Sequence, residues 1–196
     1  MSPRYKQQLE EIKRRRRDAI LSVALELFAR NGYSATTTDD IARRAGISKG
    51  LIYSYFDSKQ DNLLRLVDDG MENVIAVIRK HDGTLSPDQR FASLVDSWIT
   101  MIKTNPFFVR LLLQLHLHDD FRILLKKRGI EYVELHLAHL RDIFADLGSA
   151  DPDLDCYLLG ALMDGLSLNY SAAPDLFPIN TIAHWLVSIF VHHREQ

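Results

Sequence analysis

The sequence predicts an all-α protein of about nine helices, with a three-helix N-terminal head and a C-terminal helical bundle. Apolar residues recur at helical spacing through most of the 196 residues, and no segment shows the alternation of a half-buried strand. The interruptions fall at glycine, proline and capping residues, which are the signals that end and begin helices. With 46% hydrophobic and 26% charged residues, the composition is that of an ordinary soluble globular protein.

The first helix is expected over residues 11–30. Ile20, Ala24 and Phe28 fall on one face of it, which predicts that this face is buried. Asn31-Gly32 follows directly, and this pair typically ends a helix. The next two helices are short, and we expect them over residues 36–46 and 48–56.

Six further helices are expected over residues 58–80, 86–104, 107–116, 121–147, 152–170 and 180–192. The fifth helix of the chain has the clearest start, because Ser86 and Gln89 form a capping-box pair around Pro87 at the first helical position. Asp151-Pro152 opens the eighth helix by the same logic.

The net charge of −2 conceals an uneven distribution. Residues 1–59 carry 12 Lys and Arg against 7 Asp and Glu, whereas residues 60–196 carry 12 against 19. A basic head on an acidic body indicates that the head meets a polyanion such as nucleic acid. Within the head, the basic run 13–17 is either a solvated helix start or an extension that touches the DNA backbone or minor groove.

Residues 36–56 have the dimensions of a helix-turn-helix. Thr36 or Thr37 can cap its first helix. Gly46 permits the tight turn, and Ser48 can cap the second helix. An ordinary helical hairpin in an α-protein is the alternative interpretation of the same pattern.

The face that this second helix leaves exposed is unusual for a merely solvated surface. Ile52 and Phe56 would pack inward, and the opposite face carries Gly50, Leu51 and Ser54 between two tyrosines. Short side chains allow close approach to the floor of a major groove, while tyrosine hydroxyls reach phosphates.

The stretch GYSATTTDDIARRAGISKGLIYSYFDSKQDNLL closely resembles the N-terminal signature of the tetracycline-repressor (TetR) family of transcriptional regulators. The resemblance covers about 50 residues and implies a DNA-binding domain over residues 1–57 and a ligand-binding and dimerisation domain over residues 58–196. It implies phosphate contacts from Thr37, Tyr53, Tyr55 and Lys59. It further implies that base edges or the groove floor are met by Ser48, Lys49, Gly50, Leu51 and Ser54.

Three details complete the predicted DNA site. Lys49 is the best candidate for a hydrogen bond to guanine. Thr36, the other possible cap of the first helix of the motif, is also predicted to contact DNA. Tyr55 stands where many members of the family have histidine, so a phosphate contact there must use the phenol.

For the acidic body, the resemblance implies a homodimer that encloses a ligand pocket. The predicted dimer surface comprises Leu158, Leu162, Leu166, Ile182, Trp185, Leu186 and Ile189. The predicted pocket comprises Trp98, Ile102, Phe107, Phe108, Leu112, Tyr132, Phe144 and Met163, whose apolar side chains favour a hydrophobic or amphipathic effector. Burial within one subunit and plain core packing are the respective alternatives.

Other chemistry finds little support in the sequence. The pairs His116/His118 and His136/His139 could face a metal, but no cysteine or carboxylate cluster completes a site, so we predict neither metal nor cofactor. No catalytic motif can be assembled, which argues against an enzyme. A single cysteine, Cys156, fits a reducing cytosol, and no secretory signal or spanning segment is visible, so a cytoplasmic location is expected.

These observations predict a transcriptional regulator that binds double-stranded operator DNA. The simplest form is a repressor that a small molecule releases from the operator. The alternative is a DNA-binding architectural or adaptor protein whose C-terminal bundle binds a protein partner.

Overall fold

A computed structural model describes residues 3–80, 84–117 and 137–192, and every regular element in those ranges is a helix. The helices are α1 (Pro3–Asn31), α2 (Thr38–Arg44), α3 (Lys49–Ile52), α4 (Lys59–Lys80), α5 (Pro87–Thr104), α6 (Pro106–Leu117), α7 (residues 137–146), α8 (Pro152–Ala172) and α9 (Ile179–His192). The predicted all-α class is confirmed. Within the described ranges, no helix is long and apolar enough to cross a membrane.

The chain divides into two compact units, Met1–Gly70 and Met71–Gln196. The N-terminal unit holds α1 to α3 and the first half of α4, while the C-terminal unit holds α5 to α9. The structural division therefore lies about three turns into α4. The functional boundary after residue 57 stays a prediction.

The core of the N-terminal unit forms where the apolar face of α1 meets the helix-turn-helix. Ala24 and Phe28 of α1 are fully buried, as are Ile41 of α2 and Ile52 of α3. The Phe28 ring packs edge-on against Tyr33, with the ring centroids 5.3 Å apart. This packing fixes the positions of α2 and α3 on α1.

Helix α1 starts at Pro3, eight residues before the predicted start at residue 11. Its first turns bury no apolar side chain: Tyr5, Leu9 and Ile12 recur at helical spacing but are 39 to 57% exposed, so no core contact marks this part of the helix. Lys, Arg, Glu and Gln dominate there and are good helix formers. Glu11 adds ion pairs with Arg14 at 2.9 Å and with Arg15 at 3.0 Å, in the favourable spacing of one helical turn.

The core of the C-terminal unit is organised by three phenylalanines from different helices. The rings of Phe91 in α5, Phe144 in α7 and Phe190 in α9 contact one another with centroid distances of 5.3 to 5.6 Å. The predicted capping box of α5 is confirmed, since Ser86 and Gln89 exchange hydrogen bonds of 3.0 and 3.3 Å. Ser58 caps α4, and Asp151 caps α8 where the sequence predicted that this helix opens.

Cys156 lies in α8 with its side chain turned into the unit, where it is 6% exposed. Burial disfavours the thiolate and raises the pKa of Cys156 to about 11. Because the thiolate is the reactive form, this environment makes the thiol inert near neutral pH.

We expect Cys156 in the native protein to react with a thiol-alkylating reagent at pH 8 at least about 100-fold more slowly than in the unfolded chain. A free thiol has a pKa of about 8.5, so the thiolate fraction alone differs by about 200-fold. The rate should then rise about tenfold per pH unit toward pH 11. Mass spectrometry of alkylated protein, with and without denaturant, measures both rates, and equal rates at pH 8 would contradict the expectation.

Candidate nucleic-acid interface

Helix α2 begins at a complete capping box formed by Thr37 and Asp40. The Thr37 hydroxyl accepts from the backbone N–H of Asp40 at 3.1 Å, and the Asp40 carboxylate accepts from the backbone N–H of Thr37 at 3.0 Å. The Thr37 hydroxyl also donates to Asp40 at 2.6 Å, and this bond together with Arg43 holds the pKa of Asp40 below its ordinary value. Thr37, not Thr36, is therefore the N-cap, and it is exposed at the positive end of α2.

The turn between α2 and α3 is set by Gly46, whose φ of +67° lies in the left-handed region that favours glycine. The next residue, Ile47, returns its N–H to the carbonyl of Ala42 at 3.0 Å. Ser48 then caps α3 by accepting from the N–H of Leu51 at 3.3 Å. The predicted turn and cap are thus confirmed.

Helix α3 is shorter than the predicted 48–56, because regular α-helix ends at Ile52. The chain nevertheless keeps turning. The N–H of Tyr55 donates to Ile52 at 3.0 Å in a 3₁₀-type bond, and the N–H of Phe56 donates to the same carbonyl at 3.0 Å. The tighter turn carries Tyr53, Ser54 and Tyr55 past the end of the helix.

This short helix separates an inner and an outer face. Ile52 is 1% and Phe56 2% exposed, and both pack into the unit. The outer side holds most of the predicted DNA residues: Ser48, Lys49, Gly50, Tyr53 and Ser54 are exposed, and Leu51 and Tyr55 are half-buried. We call these seven residues the recognition face. It combines hydroxyls, one ammonium and one glycine, which suits hydrogen bonding in a groove.

The ammonium of Lys49 has a partner that the sequence analysis did not identify. Lys49 Nζ lies 2.8 Å from the Oδ1 of Asp39, across the helix-turn-helix. This hydrogen bond and the charge of Asp39 raise the pKa of Lys49. Asp39 lies in the first turn of α2, where its charge is favourable, but its contact with α3 depends on how the two helices cross and is not a local feature of the sequence.

Two of the predicted DNA residues require correction. Thr36 is 1% exposed, and its hydroxyl donates to the carbonyl of Gly32 at 2.9 Å, so this side chain fixes the loop before α2 and does not reach DNA. Lys59 is half-buried, with Nζ 2.9 Å from the carbonyl oxygens of Tyr33 and Thr36 and 4.3 Å above the Tyr33 ring. A third carbonyl, that of Ser34 at 3.4 Å, takes up the remaining donor of the ammonium. Lys59 therefore holds the α1–α2 loop and has no donor left for a phosphate.

The basic run 13–17 is helical and lies on α1. Lys13, Arg14 and Arg15 pair with glutamates one turn earlier in α1, and Arg17 reaches Asp69 of α4 at 3.1 Å. Beside the run, α1 and the α2–α3 turn form an open groove of about 560 Å³ with Arg15, Arg16 and Arg44 at its edges. The run thus contributes positive charge next to the helix-turn-helix, while contact with DNA stays a prediction.

The predicted pocket residues lie mostly in the interior of the C-terminal unit. Ile102, Phe108, Phe144 and Met163 are buried, Trp98, Phe107 and Leu112 are half-buried, and Tyr132 lies outside the described residues. The Nε1 of Trp98 is buried without a hydrogen-bond partner in the described part of the chain. The pocket stays a prediction.

The predicted dimer residues fall into two groups. Leu158, Leu162, Trp185 and Ile189 are 43 to 64% exposed on α8 and α9, and Ile182 is half-buried. Leu166 and Leu186 are 8% and 4% exposed, so the structure places them in the core of their own unit and corrects their assignment to the surface. Apolar side chains are therefore exposed on both helices: Leu154, Tyr157, Leu158 and Leu162 on α8, and Trp185 and Ile189 on α9.

The histidines provide no metal centre in the part of the chain that the structure describes, where no three potential ligands cluster. His116 places Nδ1 3.0 Å from the carbonyl oxygen of Leu112 in its own helix. His118 and His136 lie outside the described residues.

The fold and the recognition face together define a helix-turn-helix DNA-binding protein. Residues 20–66 match the family model described as bacterial regulatory proteins, tetR family. The chain is also 31% identical over 152 residues to the HTH-type transcriptional activator FasR of Mycolicibacterium smegmatis, covering 77% of this chain and 67% of that protein. The chain therefore belongs to the TetR family and is a DNA-binding transcriptional regulator.

Solved structures agree with this assignment at the level of the fold. The fatty acid degradation regulator FadR of Bacillus halodurans has a TM-score of 0.77 at 16% identity, covering 92% of this chain and 97% of that one. FadR of Bacillus subtilis in complex with stearoyl-CoA has a TM-score of 0.73 at 17% identity, covering 89% and 97%.

Proposed function

We propose that this chain is a homodimeric, cytoplasmic repressor that loses affinity for its operator when an amphipathic small molecule binds its C-terminal unit. The observation that carries the proposal is the recognition face, because a capped helix presents an ammonium, a glycine and exposed hydroxyls beside the positive end of α2. Residues 1–57 would bind DNA, and residues 58–196 would dimerise and bind the effector.

On DNA, the recognition face divides by chemistry. The hydroxyls of Tyr53 and Tyr55 would contact phosphates and fix the position of the head on the duplex, beside the start of α2 at Thr37. Lys49 would donate to guanine, while Gly50 and Ser54 allow α3 to approach the base edges. Two heads spaced about one turn of DNA apart would read a near-palindromic site.

The class of effector is suggested by two observations. The interior of the C-terminal unit is rich in phenylalanine, leucine and isoleucine, which suits an apolar chain. The structurally similar FadR of Bacillus subtilis was solved with stearoyl-CoA, a molecule with one long apolar chain and a polar, anionic end. A long-chain acyl-CoA is therefore the first probe to test.

Release from DNA would depend on α4, whose first half is bound to the α1–α2 loop and to α1. Lys59, the first residue of α4, binds three carbonyls of the α1–α2 loop, and Arg17 of α1 binds Asp69 of α4. A shift of α4 would consequently carry the head with it as one body. An effector that favours the shifted pose would change the spacing of the two heads and lower the occupancy of the operator.

The direct test selects bound duplexes from random DNA and then adds effectors to the complex with the winning sequence. The proposal expects a near-palindromic winner that is released by a long-chain acyl-CoA and not by coenzyme A alone. A reporter transcribed from the selected site then gives the sign of regulation. A winner that no amphipathic ligand releases, or transcription that rises when the protein is bound, would refute the corresponding part.

Binding to the selected duplex should fall steeply with salt. Residues 1–59 carry five excess positive charges per head, and each phosphate neutralised by Lys or Arg contributes about −0.9 to the slope of log K against log salt. For a dimer that neutralises roughly 6 to 10 phosphates, affinity drops by about 10³ to 10⁵ between 50 and 200 mM salt. Fluorescence anisotropy across that range measures the slope, and affinity that does not change with salt would contradict the proposed mode of binding.

A further inference from the structure

Two adjacent aspartates in the first turn of α2 have different partners. Asp40 is engaged by the backbone N–H and the hydroxyl of Thr37 and by Arg43, so it belongs to the cap. Asp39 points to the other helix of the motif, where its Oδ1 lies 2.8 Å from Lys49 Nζ. The capping box accounts for Asp40, whereas Asp39 adds only a favourable charge in the first turn of α2.

Stability does not explain the Asp39–Lys49 pair. The two side chains are 58% and 59% exposed, and solvent-exposed ion pairs contribute little to folding because water and salt screen them. The position of the pair is more informative. It stands at the N-terminus of α3, on the edge of the recognition face, where one partner is the residue assigned to guanine.

The charges of the pair restrict what it can bind. A lone lysine is a flexible point charge that binds a phosphate as readily as a base. Paired with Asp39, the ammonium belongs to a group without net charge, and the carboxylate repels the phosphate backbone. A lysine ammonium held at the edge of the groove donates most often to guanine O6 and N7, so the positioned Lys49 matches a G·C base pair.

We propose that Asp39 is a specificity-determining residue of the DNA interface, which positions Lys49 for a G·C pair and lowers affinity for DNA of any other sequence. The inference rests on the proposed placement of α3 in the major groove. It assigns Asp39 a role in choosing sequence, where the cap alone would give it a role in folding.

The test is a double-mutant cycle of Asp39→Ala and Lys49→Ala, with Asp57→Ala as the matched control. Asp57 is an exposed carboxylate just beyond α3 that loses the same charge on substitution. Anisotropy is measured on the selected operator, on the operator with the G·C pair at each position exchanged for A·T, and on random duplex. Thermal unfolding of each variant checks the fold.

Asp39→Ala is expected to raise affinity for random duplex several-fold and to reduce the preference for G·C at one position in each half-site by about tenfold, the scale of one base contact. In the Lys49→Ala background the same change should leave that preference unaltered. Asp57→Ala should change the affinity for DNA and leave the preference for G·C at that position unchanged.

Three results would overturn the inference. If Asp39→Ala and Asp57→Ala raise affinity equally and both keep the preference, Asp39 supplies only general charge. If Asp39→Ala lowers the preference equally with and without Lys49, the carboxylate does not act through the lysine. If Lys49→Ala itself preserves every base preference while binding persists, the assignment of Lys49 to guanine fails first, and the proposal for Asp39 fails with it.

Discussion

Replacing Gly50 with leucine should reduce operator binding by about 100-fold or more while the protein stays folded. Gly50 is exposed near the start of α3, and a Cβ added there meets no atom within 4 Å. Leucine is also a better helix former than glycine, so the free protein loses nothing in stability. In the complex, the same side chain would occupy the space between α3 and the bases. It would thereby displace several contacts that are each worth about 1 to 3 kcal/mol.

The measurement pairs anisotropy on the selected duplex with a thermal melt. Gly50→Ala is the matched control, because it makes the same gain in helix propensity with one carbon and should lose far less affinity. Binding by Gly50→Leu within a few-fold of the parent protein, with an unchanged melt, would show that this face of α3 does not lie against the bases.

The second large effect concerns the exposed apolar side chains of α8 and α9. The combined change Leu158→Asp and Trp185→Asp should convert a dimer into a monomer, because the two residues are 47% and 64% exposed and would be covered only by a second subunit. Charges placed in such an interface would be buried without partners. Operator affinity should fall by about 10²-fold or more, since two linked heads gain that order from the second binding event.

Analytical ultracentrifugation gives the oligomeric state. Fluorescence anisotropy on full and half operators gives the affinity that is gained when two linked heads bind together. The control is Leu117→Asp at the end of α6, which removes a leucine that is 80% exposed on a helix outside the proposed interface. A double variant that sediments like the parent protein would place the dimer contact elsewhere. A monomer that still binds the full operator with the parent affinity would separate dimerisation from DNA binding.

The sequence alone was sufficient for the features that depend on neighbours along the chain. The helix periods, the caps at Ser48, Ser86 and Asp151 and the turn at Gly46 are local, because a hydrogen bond within three or four residues can be read from residue types. The orientation of α3 also followed from its period, since Ile52 and Phe56 had to lie on the buried side.

Only the tertiary structure decided the features that depend on how helices cross. Lys59 binds carbonyl oxygens more than 20 residues earlier in the chain. On α8 and α9, Leu166 and Leu186 are buried, whereas other apolar residues of the same helices are exposed. The helical period of apolar residues does not distinguish a residue that packs in the core of its own subunit from one that packs against a second subunit, because both kinds recur at helical spacing.

The helix-turn-helix shows the same division. The sequence determined that residues 36–56 form it and that Lys49 stands at the start of its second helix. The tertiary structure decided that Thr36 is buried, that Lys59 holds the α1–α2 loop and that Lys49 is paired with Asp39. The physical reason is that α2 and α3 meet at an angle set by Gly46 and the α1 core. The distance between Asp39 and Lys49 is therefore a property of the packed unit and not of either helix.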